Sequence, residues 1–415
     1  MSTIEQAVQV AEQTKHDLPL WAVMPIEVPA HLHDTSQACI DMYMLSNDHQ
    51  SGGINGIGWW QWANGYTATT LNDANTHEHR NSAMLNSNIR KCEQQYSNFI
   101  NEYNDDSLWW ALLCLHTFNI TGDQWFLAKA KIVWRHLRDS NSVCGKGEKE
   151  CCGKDMEGGC YWTTRPGEGY INAITTGLYA ELSVRLYLAT HEPKTGGRHS
   201  VFSKLGRVIK GDHVSQADEY LQAARCSLEW IVRCVYRSDN SLIMDGIHSE
   251  KNELSTATFT YNTGVAIGAS ALLYQATSNE DYLTLACHMA HCAMRNRDWI
   301  EENGVLTDLG PQGRNGRDPR KNDDGVGFKA VLMRHLGTLF KVIQVTQPAD
   351  PQARETAQLL KQFVNVNLDS QLRRNTNGNS QYGPWWNGPF ECPTSHSQMA
   401  VLDVMAAAVL VNGGS

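Results

Sequence analysis

Apolar residues recur at i, i+3 and i+4 along most of the chain, the period of helices with a buried face. The pattern predicts helices near 34–45, 58–73, 77–101, 106–119, 123–139, 170–190, 214–236, 259–276, 279–297, 326–345, 352–368 and 395–411. Strand-type alternation is nearly absent, and "SLIMDGI" (241–247) and "GVLTDL" (304–309) read at most as short hairpin pieces. Three segments share one plan: "TGDQWFLAKAKIVWRHL" (121–137), "SQADEYLQAARCSLEWIV" (215–232) and "SNEDYLTLACHMAHCAM" (278–294). In each, a polar acidic turn precedes an aromatic residue with Ala four positions later: Phe126 and Ala130, Tyr220 and Ala224, Tyr282 and Ala286. The small Ala admits a neighbouring helix while the aromatic fills the gap one turn away. Each repeat follows a more apolar helix, as in a train of helical hairpins. Six hairpins predict an all-α ring with the first helix of each pair inside; an open solenoid is the competing layout.

The inner-type helices begin with polar-aromatic strings: "GIGWWQWANGYTAT", "NDDSLWWALLCL", "GEGYINAITTGLYAEL", "FTYNTGVAIGASALL", "GVGFKAVLMRHL" and "TSHSQMAVLDVMAAAV". Six such starts at one end of a ring would line a single cleft. A length of 415 residues suggests two or three domains on average. No linker divides the chain, however, so 1–415 reads as one barrel domain with a Cys-rich loop at about 144–160.

Composition narrows the function classes. With 41% hydrophobic and 19% charged residues, the chain reads as globular with a large core. No stretch approaches the roughly 18 apolar residues of a membrane span. The net charge of −9 and scattered Lys and Arg argue against a nucleic-acid partner. Nothing in the pattern specifies an oligomeric state. The doublets Trp59-Trp60, Trp109-Trp110 and Trp385-Trp386 exceed what core packing needs, since neighbours on a helix point about 100° apart. Half-buried rings suit the apolar face of a sugar. Among twelve cysteines, Cys144, Cys151, Cys152 and Cys160 fall in "CGKGEKECCGKDMEGGC", which has little apolar content. Without paired C-x-x-C spacing, zinc is disfavoured, and two disulfides in an oxidising compartment are the preferred reading. Cys226 with Cys234, and Cys287 with Cys292, read as core thiols. "MSTIEQAVQV" shows no signal peptide. The disulfide reading therefore expects a secreted protein whose signal was removed, with a reduced cytosolic protein as the alternative. The one sequon, at Asn119, adds little.

Asn104-Asp105-Asp106 sits where an N-cap is expected, and acids in a first turn favour the helix dipole. One cap suffices, so the second acid is surplus, and Trp109-Trp110 follow one turn on. Glycoside hydrolysis needs two carboxyl groups in opposite protonation states, and adjacent acids in a partly dry cleft separate their pKa values. Neighbouring residues reach the roughly 5–5.5 Å carboxyl spacing of retaining enzymes more readily than the wider spacing of inverting ones. A capping role for Asn104 or Asp105 is compatible with that chemistry. The other doublet, Asp323-Asp324, precedes Gly325 in "RNGRDPRKNDDGVGF" and reads as a turn and cap. The H-x-H pairs of "HLHD" and "THEHR" lack metal spacing and a third ligand, "SGGING" lacks the Lys of a phosphate loop, and no nucleophilic Ser elbow occurs.

In order along the chain, "GIGWWQWANGYTAT", "YNDDSLWWALL", "GGCYWTT…YINAITTGLYAELSVRLY", "FTYNTGVAIGASALLYQAT", "FKAVLMRHL" and "SHSQMAVLDV" resemble glycoside hydrolase family 76, the α-1,6-mannanase family. The resemblance implies an (α/α)6 barrel that cleaves α-1,6-linked mannan with retention, Asp105 as nucleophile and Asp106 as general acid/base. It further implies a sugar cleft drawing on Trp60, Gln61, Asn64, Asn104, Trp109, Tyr170, Asn172, Tyr261, Asn262 and Lys329. The Cys-rich loop lies outside the general family pattern and bears on chain-length preference. The chemistry calls for no metal or organic cofactor.

Three other readings remain. A transglycosylase of the same family would move mannan chains to cell-wall acceptors. An epimerase would need facing His bases, and the inner starts offer only His396. A non-hydrolytic mannan-binding protein would gain nothing from two crowded acids.

Overall fold

The computed structural model describes residues 3–14, 16–191, 215–307 and 324–413. Its helices are α1 (Thr3–Gln13), α2 (Leu32–Met44), α3 (Trp59–Thr76), α4 (Ser82–Cys92), α5 (Asn104–Thr121), α6 (Gln124–Asp139), α7 (Ala173–Thr190), α8 (Gln216–Trp230), α9 (Thr260–Thr277), α10 (Glu280–Ala293), α11 (Gly325–Thr346), α12 (Pro351–Arg373) and α13 (Ser395–Asn412). The odd-numbered helices from α3 to α13 form a closed inner ring. Each packs on the next, and α13 returns to α3. Helices α4, α6, α8, α10 and α12 back their preceding inner partners, and α2 comes from the N-terminal end to back α13. The protein is an (α/α)6 barrel, as the hairpin pattern and the family resemblance predicted.

The two layers differ for a physical reason. Inner helices such as α7 and α9 are buried on every side, so their sequences are apolar all round. Outer helices such as α6 keep a wet face, with Phe126, Ala130, Val133, Trp134 and Leu137 turned inward. Close approach within the ring requires small residues. A Cβ on Gly177 of α7 would lie 2.3 Å from Val265 Cγ2 of α9, so the two helices could not keep their separation with Ala there.

Short strands cap the cleft end. β1 (Glu150–Cys151) pairs with β2 (Lys154–Asp155), while β3 (Tyr170–Asn172), β4 (Met244–His248) and β5 (Glu253–Thr258) form an antiparallel sheet in the order β3-β4-β5. Tyr170 faces His248 and Asn172 faces Gly246 in that register. Among the described residues, no helix is long and apolar enough to cross a membrane.

Several expectations need correction. The single helix expected over 77–101 is broken. α3 ends on left-handed His77, His79 is also left-handed, α4 stops at Cys92, and Asn98 and Phe99 have positive φ. The helix expected from 170 begins at Ala173, because 170–172 join the sheet and the Asn172 side chain caps α7 by accepting from Thr175 N–H at 3.2 Å. The α1 segment carried no expectation. "GVLTDL" makes only an isolated bridge, Ile300 with Leu306, and its last residues lie outside those described.

The expected disulfides are not formed, and all twelve cysteines are free thiols. The Cys-rich loop is held in other ways. Met156 is fully buried, Arg233 donates to the carbonyls of Asp155 and Glu157, and Ser227 Oγ donates to the Gly158 carbonyl at 2.8 Å. Gly158 and Gly159 lie so close to Cys226 and Trp230 that a Cβ would clash. The loop needs no covalent staple, and the disulfide-based argument for an oxidising compartment finds no support in these thiols.

One ionic knot ties the ring together. Arg334 of α11 donates from Nε and Nη2 to the two carboxylate oxygens of Asp403 on α13, both at 2.8 Å, and from Nη1 to Asn64 Oδ1 on α3 at 2.7 Å. Both charged groups are buried. Removing one partner of such a pair leaves an uncompensated charge. Asp403→Ala should therefore lose about 3–5 kcal/mol of stability, read from equilibrium urea unfolding. A loss within experimental error would show that the knot does not hold the ring.

Candidate active site

Helix α5 begins at Asn104 with Tyr103 as its N-cap, and no side chain caps it. The capping role expected of Asn104 or Asp105 is therefore not used. Asn104 Nδ2 donates across to the Tyr161 carbonyl at 2.9 Å, fixing the start of α5 to the loop before β3. Both acids lie in the first turn, where the helix dipole favours negative charge. Asp105 Oδ2 accepts from the Trp162 indole N–H at 3.0 Å, and Oδ1 accepts from the Asp106 backbone N–H at 3.0 Å. Asp106 Oδ2 accepts from Asn101 Nδ2 at 2.8 Å.

Both carboxyls are pushed upward. Burial, then the charge of Asp106, takes Asp105 up to about 8, against the pull of its two donors. Burial takes Asp106 up to about 6, with Asp324 and Glu102 adding repulsion and the Asn101 bond opposing. The pair titrates as a unit and holds one proton between them near neutrality. The stronger push of burial on Asp105 favours the proton there. The donors argue for the reverse order, because Asp105 accepts two N–H groups and Asp106 only one. The two N–H donors stabilise the ionised form of Asp105, which leaves the shared proton with Asp106.

Two further acids belong to this cleft, Asp324 beside Asp106 and Asp245 sharing Tyr261 with Asp105, and sequence reasoning missed both. Asp324 stands at the start of α11, where a cap was expected, yet its side chain makes no cap bond. Its Oδ1 instead accepts from Trp60 Nε1 at 3.2 Å and Gln61 Nε2 at 3.0 Å, both on α3. The other member of that doublet, Asp323, lies outside the described residues. Asp245 sits on β4, accepts from the Tyr170 hydroxyl, and accepts from Asn262 Nδ2 at 3.1 Å through Oδ1. Burial raises its carboxyl against those two bonds. The only sequence signal was Asp245 within the hairpin piece "SLIMDGI". Tyr261 ties the set together: burial, then neighbouring Asp245, Asp105, Tyr170 and Asp324, push its phenol up.

The residues expected in the cleft divide into two tiers. Trp60, Tyr170 and Tyr261 are half-buried, with Trp162 and Phe328 beside them. Tyr261 stacks on Phe328 at 4.0 Å between centroids, Trp60 lies 6.3 Å from Phe328, and Tyr170 stacks on His248 at 4.1 Å. Gln61 is buried and joins the Gly58 N–H to Asp324. Asn64, Trp109, Asn172 and Lys329 lie deeper. Asn64 is spent on Arg334 and on the Trp60 carbonyl, Asn172 caps α7, and Lys329 Nζ donates to the Val326 carbonyl at 3.1 Å and lies over Trp386. Of the three Trp doublets, only Trp60 is half-exposed; Trp110 stacks on Phe99 in the core. The doublets are mostly packing, and the wet rings come mainly from other positions.

The opposite mouth of the ring holds a cavity of about 350 Å³ lined by His116, Arg185, Lys341, Arg334 and Asp403, among others. Its lining carboxylate, Asp403, is already paired with Arg334. That cavity lacks the two competing acids that acid/base hydrolysis requires.

The sequence model described as glycosyl hydrolase family 76 matches residues 30–195 and 211–413. No curated protein sequence matches. Among solved structures, the chain is similar to an inactive variant of the α-1,6-mannanase GH76A of Salegentibacter sp. HEL1_6, substituted at two adjacent aspartates and in complex with α-1,6-mannotriose. The identity is 20%, 92% of this chain and 100% of that chain are covered, and the TM-score is 0.72. It is also similar to Dfg5 from Chaetomium thermophilum in complex with glucosamine, at 16% identity, 94% and 92% coverage and a TM-score of 0.71. The Lin0763 protein from Listeria innocua matches at 19% identity, 91% and 96% coverage and a TM-score of 0.68.

The raised carboxyls set the sign of a stability test. A carboxyl whose folded pKa exceeds its unfolded value is equally protonated in both states at low pH. It costs stability as pH rises from the unfolded value through the folded one. Asp105→Asn should thus be more stable than the wild type at pH 7, with the advantage disappearing by about pH 4. Melting temperatures across that range check it, and a variant less stable at pH 7 would contradict the burial argument. Asp324→Asn removes a like charge beside Asp106 and should move the pH–activity profile to lower pH; a shift to higher pH would be the opposing result.

Proposed function

The chain belongs to glycosyl hydrolase family 76 and is a glycosidase; from that premise we propose that it is a retaining endo-α-1,6-mannanase. The observation that carries the proposal is the half-buried Asp105-Asp106 pair in the first turn of α5, at the cleft end of the barrel, with both carboxyls pushed upward. The α-1,6-mannanase similar to this chain is inactive as a variant lacking two adjacent aspartates.

In the first step, the Asp105 carboxylate attacks the anomeric carbon of a mannosyl residue. The bond to O6 of the next sugar breaks, and Asp106 gives its proton to that departing oxygen. A mannosyl ester on Asp105 results. In the second step, Asp106, now a carboxylate, takes a proton from water as that water attacks the same carbon and frees Asp105. Two inversions return the α-configuration. Trp162 and the Asp106 N–H hold Asp105 as an acceptor, while Asn101 and Asp324 set the basicity of Asp106. Trp60, Tyr261 and Phe328 offer ring faces to the sugars, and Asp245 with Asn262 and Tyr170 offers polar contacts to their hydroxyls.

Transfer uses the same intermediate, with a sugar hydroxyl in place of water. Incubation with one α-1,6-mannooligosaccharide separates the two, since products longer than the substrate mean transfer. For hydrolysis, linear α-1,6-mannan should be cut while α-1,2, α-1,3 and β-1,4 mannans are not. Early product NMR should show the α-anomer; an initial β-anomer would mean inversion. Asp105→Asn and Asp106→Asn should fold and lose at least about a thousandfold in kcat. Undiminished activity in either variant would remove that residue from its role. The kcat/KM profile should be bell-shaped, falling below about pH 6 as both acids protonate and above about pH 8 as both ionise.

A further inference from the structure

Far from the cleft, the segment after α1 folds against the outer helix α10. His16 Nε2 lies 3.3 Å from His288 Nδ1, although the two residues are 272 positions apart. His288 and Cys292 are four residues apart, so they project from one face of α10. The three side chains offer ligand atoms that all lie within 4.8 Å of one another. His288 is buried, while His16 and Cys292 are half-buried. The geometry points to a Zn²⁺ site formed by His16, His288 and Cys292, which pins the N-terminal segment to the barrel.

The distances favour a small four-coordinate ion. With Zn–N bonds near 2.0 Å, two imidazole nitrogens on a tetrahedral ion stand about 3.3 Å apart, the separation already present between His16 and His288. Cys292 Sγ lies 3.8 Å from the other His288 nitrogen. Sulfur is the ligand that has to close in, and rotation about the single χ1 bond of Cys292 moves it. The donor set of two imidazoles and a thiolate suits Zn²⁺ and is foreign to Ca²⁺ or Mg²⁺.

The surroundings match those of a bound imidazole. His288 Nε2 lies 2.8 Å from Ser241 Oγ, which also accepts from the Tyr236 hydroxyl. That outer bond leaves Nδ1 as the nitrogen free to ligate. His291 is not the fourth ligand, since Nδ1 meets Arg295 Nη1 at 3.1 Å and Nε2 meets Thr356 Oγ1 at 3.0 Å. Its ring stacks on His16 at 5.0 Å and orients it, and Arg295 Nε donates to the Asp17 carbonyl. Half-exposure of two ligands leaves the fourth position to water. On binding, the Cys292 thiol gives up its proton to solvent, and no electron is transferred.

The test uses the full chain, stripped with EDTA under reducing conditions, re-equilibrated with ZnCl2 and gel-filtered. One Zn²⁺ per chain is expected by elemental mass spectrometry, together with a rise in melting temperature. Co²⁺ in place of Zn²⁺ should give a thiolate-to-metal charge-transfer band in the near ultraviolet. Cys292→Ser should remove that band, and His16→Ala should weaken Zn²⁺ binding by more than about tenfold. Both changes are small and lie toward the surface, so folding serves as the control. Failure of the wild type to retain Zn²⁺, or equal retention by the variant carrying both Cys292→Ser and His16→Ala, would overturn the site.

Discussion

Two adjacent carboxyls, half-buried together at the start of one inner helix, cannot both be ionised at moderate cost. Much of the cleft can be understood from that constraint. The first turn of α5 offers a favourable dipole, Trp162 and the Asp106 N–H supply donors to Asp105, and Asn101 supplies one to Asp106. Against these stand burial and the charges of Asp324 and Glu102. The balance leaves one proton between two acids, the condition that acid-assisted nucleophilic attack requires.

The barrel makes the condition possible. Six inner helices present their N-terminal ends at one mouth, so residues far apart in sequence meet there. Asp324 from α11 bonds to Trp60 and Gln61 from α3, and Asp245 from β4 bonds to Asn262 from α9. Below this polar layer, Arg334 joins α11, α13 and α3 through Asp403 and Asn64. The same Asn64 bonds the carbonyl of Trp60, so a residue expected to touch sugar instead links the cleft to the ionic knot beneath it.

Inner helices were legible because full burial makes them apolar all round while their polar starts stand out. Asp105-Asp106 was legible because a cap needs only one acid. The break of 77–101 was not, because left-handed His77, His79, Asn98 and Phe99 replace the Gly that usually announces such a turn. Asp324 and Asp245 were hidden for a different reason. Local sequence assigned one to a cap and the other to a hairpin, and only tertiary contacts with α3 and α9 turn them toward the pair. The Cys-rich loop misled because its anchors, Arg233, Ser227 and Trp230, lie about seventy residues away in sequence.

The central claim is that Asp105 and Asp106 share a proton at neutral pH. Carbon-13 NMR of aspartate-labelled protein, with the pair assigned from Asp105→Asn and Asp106→Asn, tests it directly. The account predicts two separated titration steps, both above the usual aspartate range near 4, and collapse to a single step in each variant. Two independent steps near 4, unchanged when the neighbour is replaced, would contradict it.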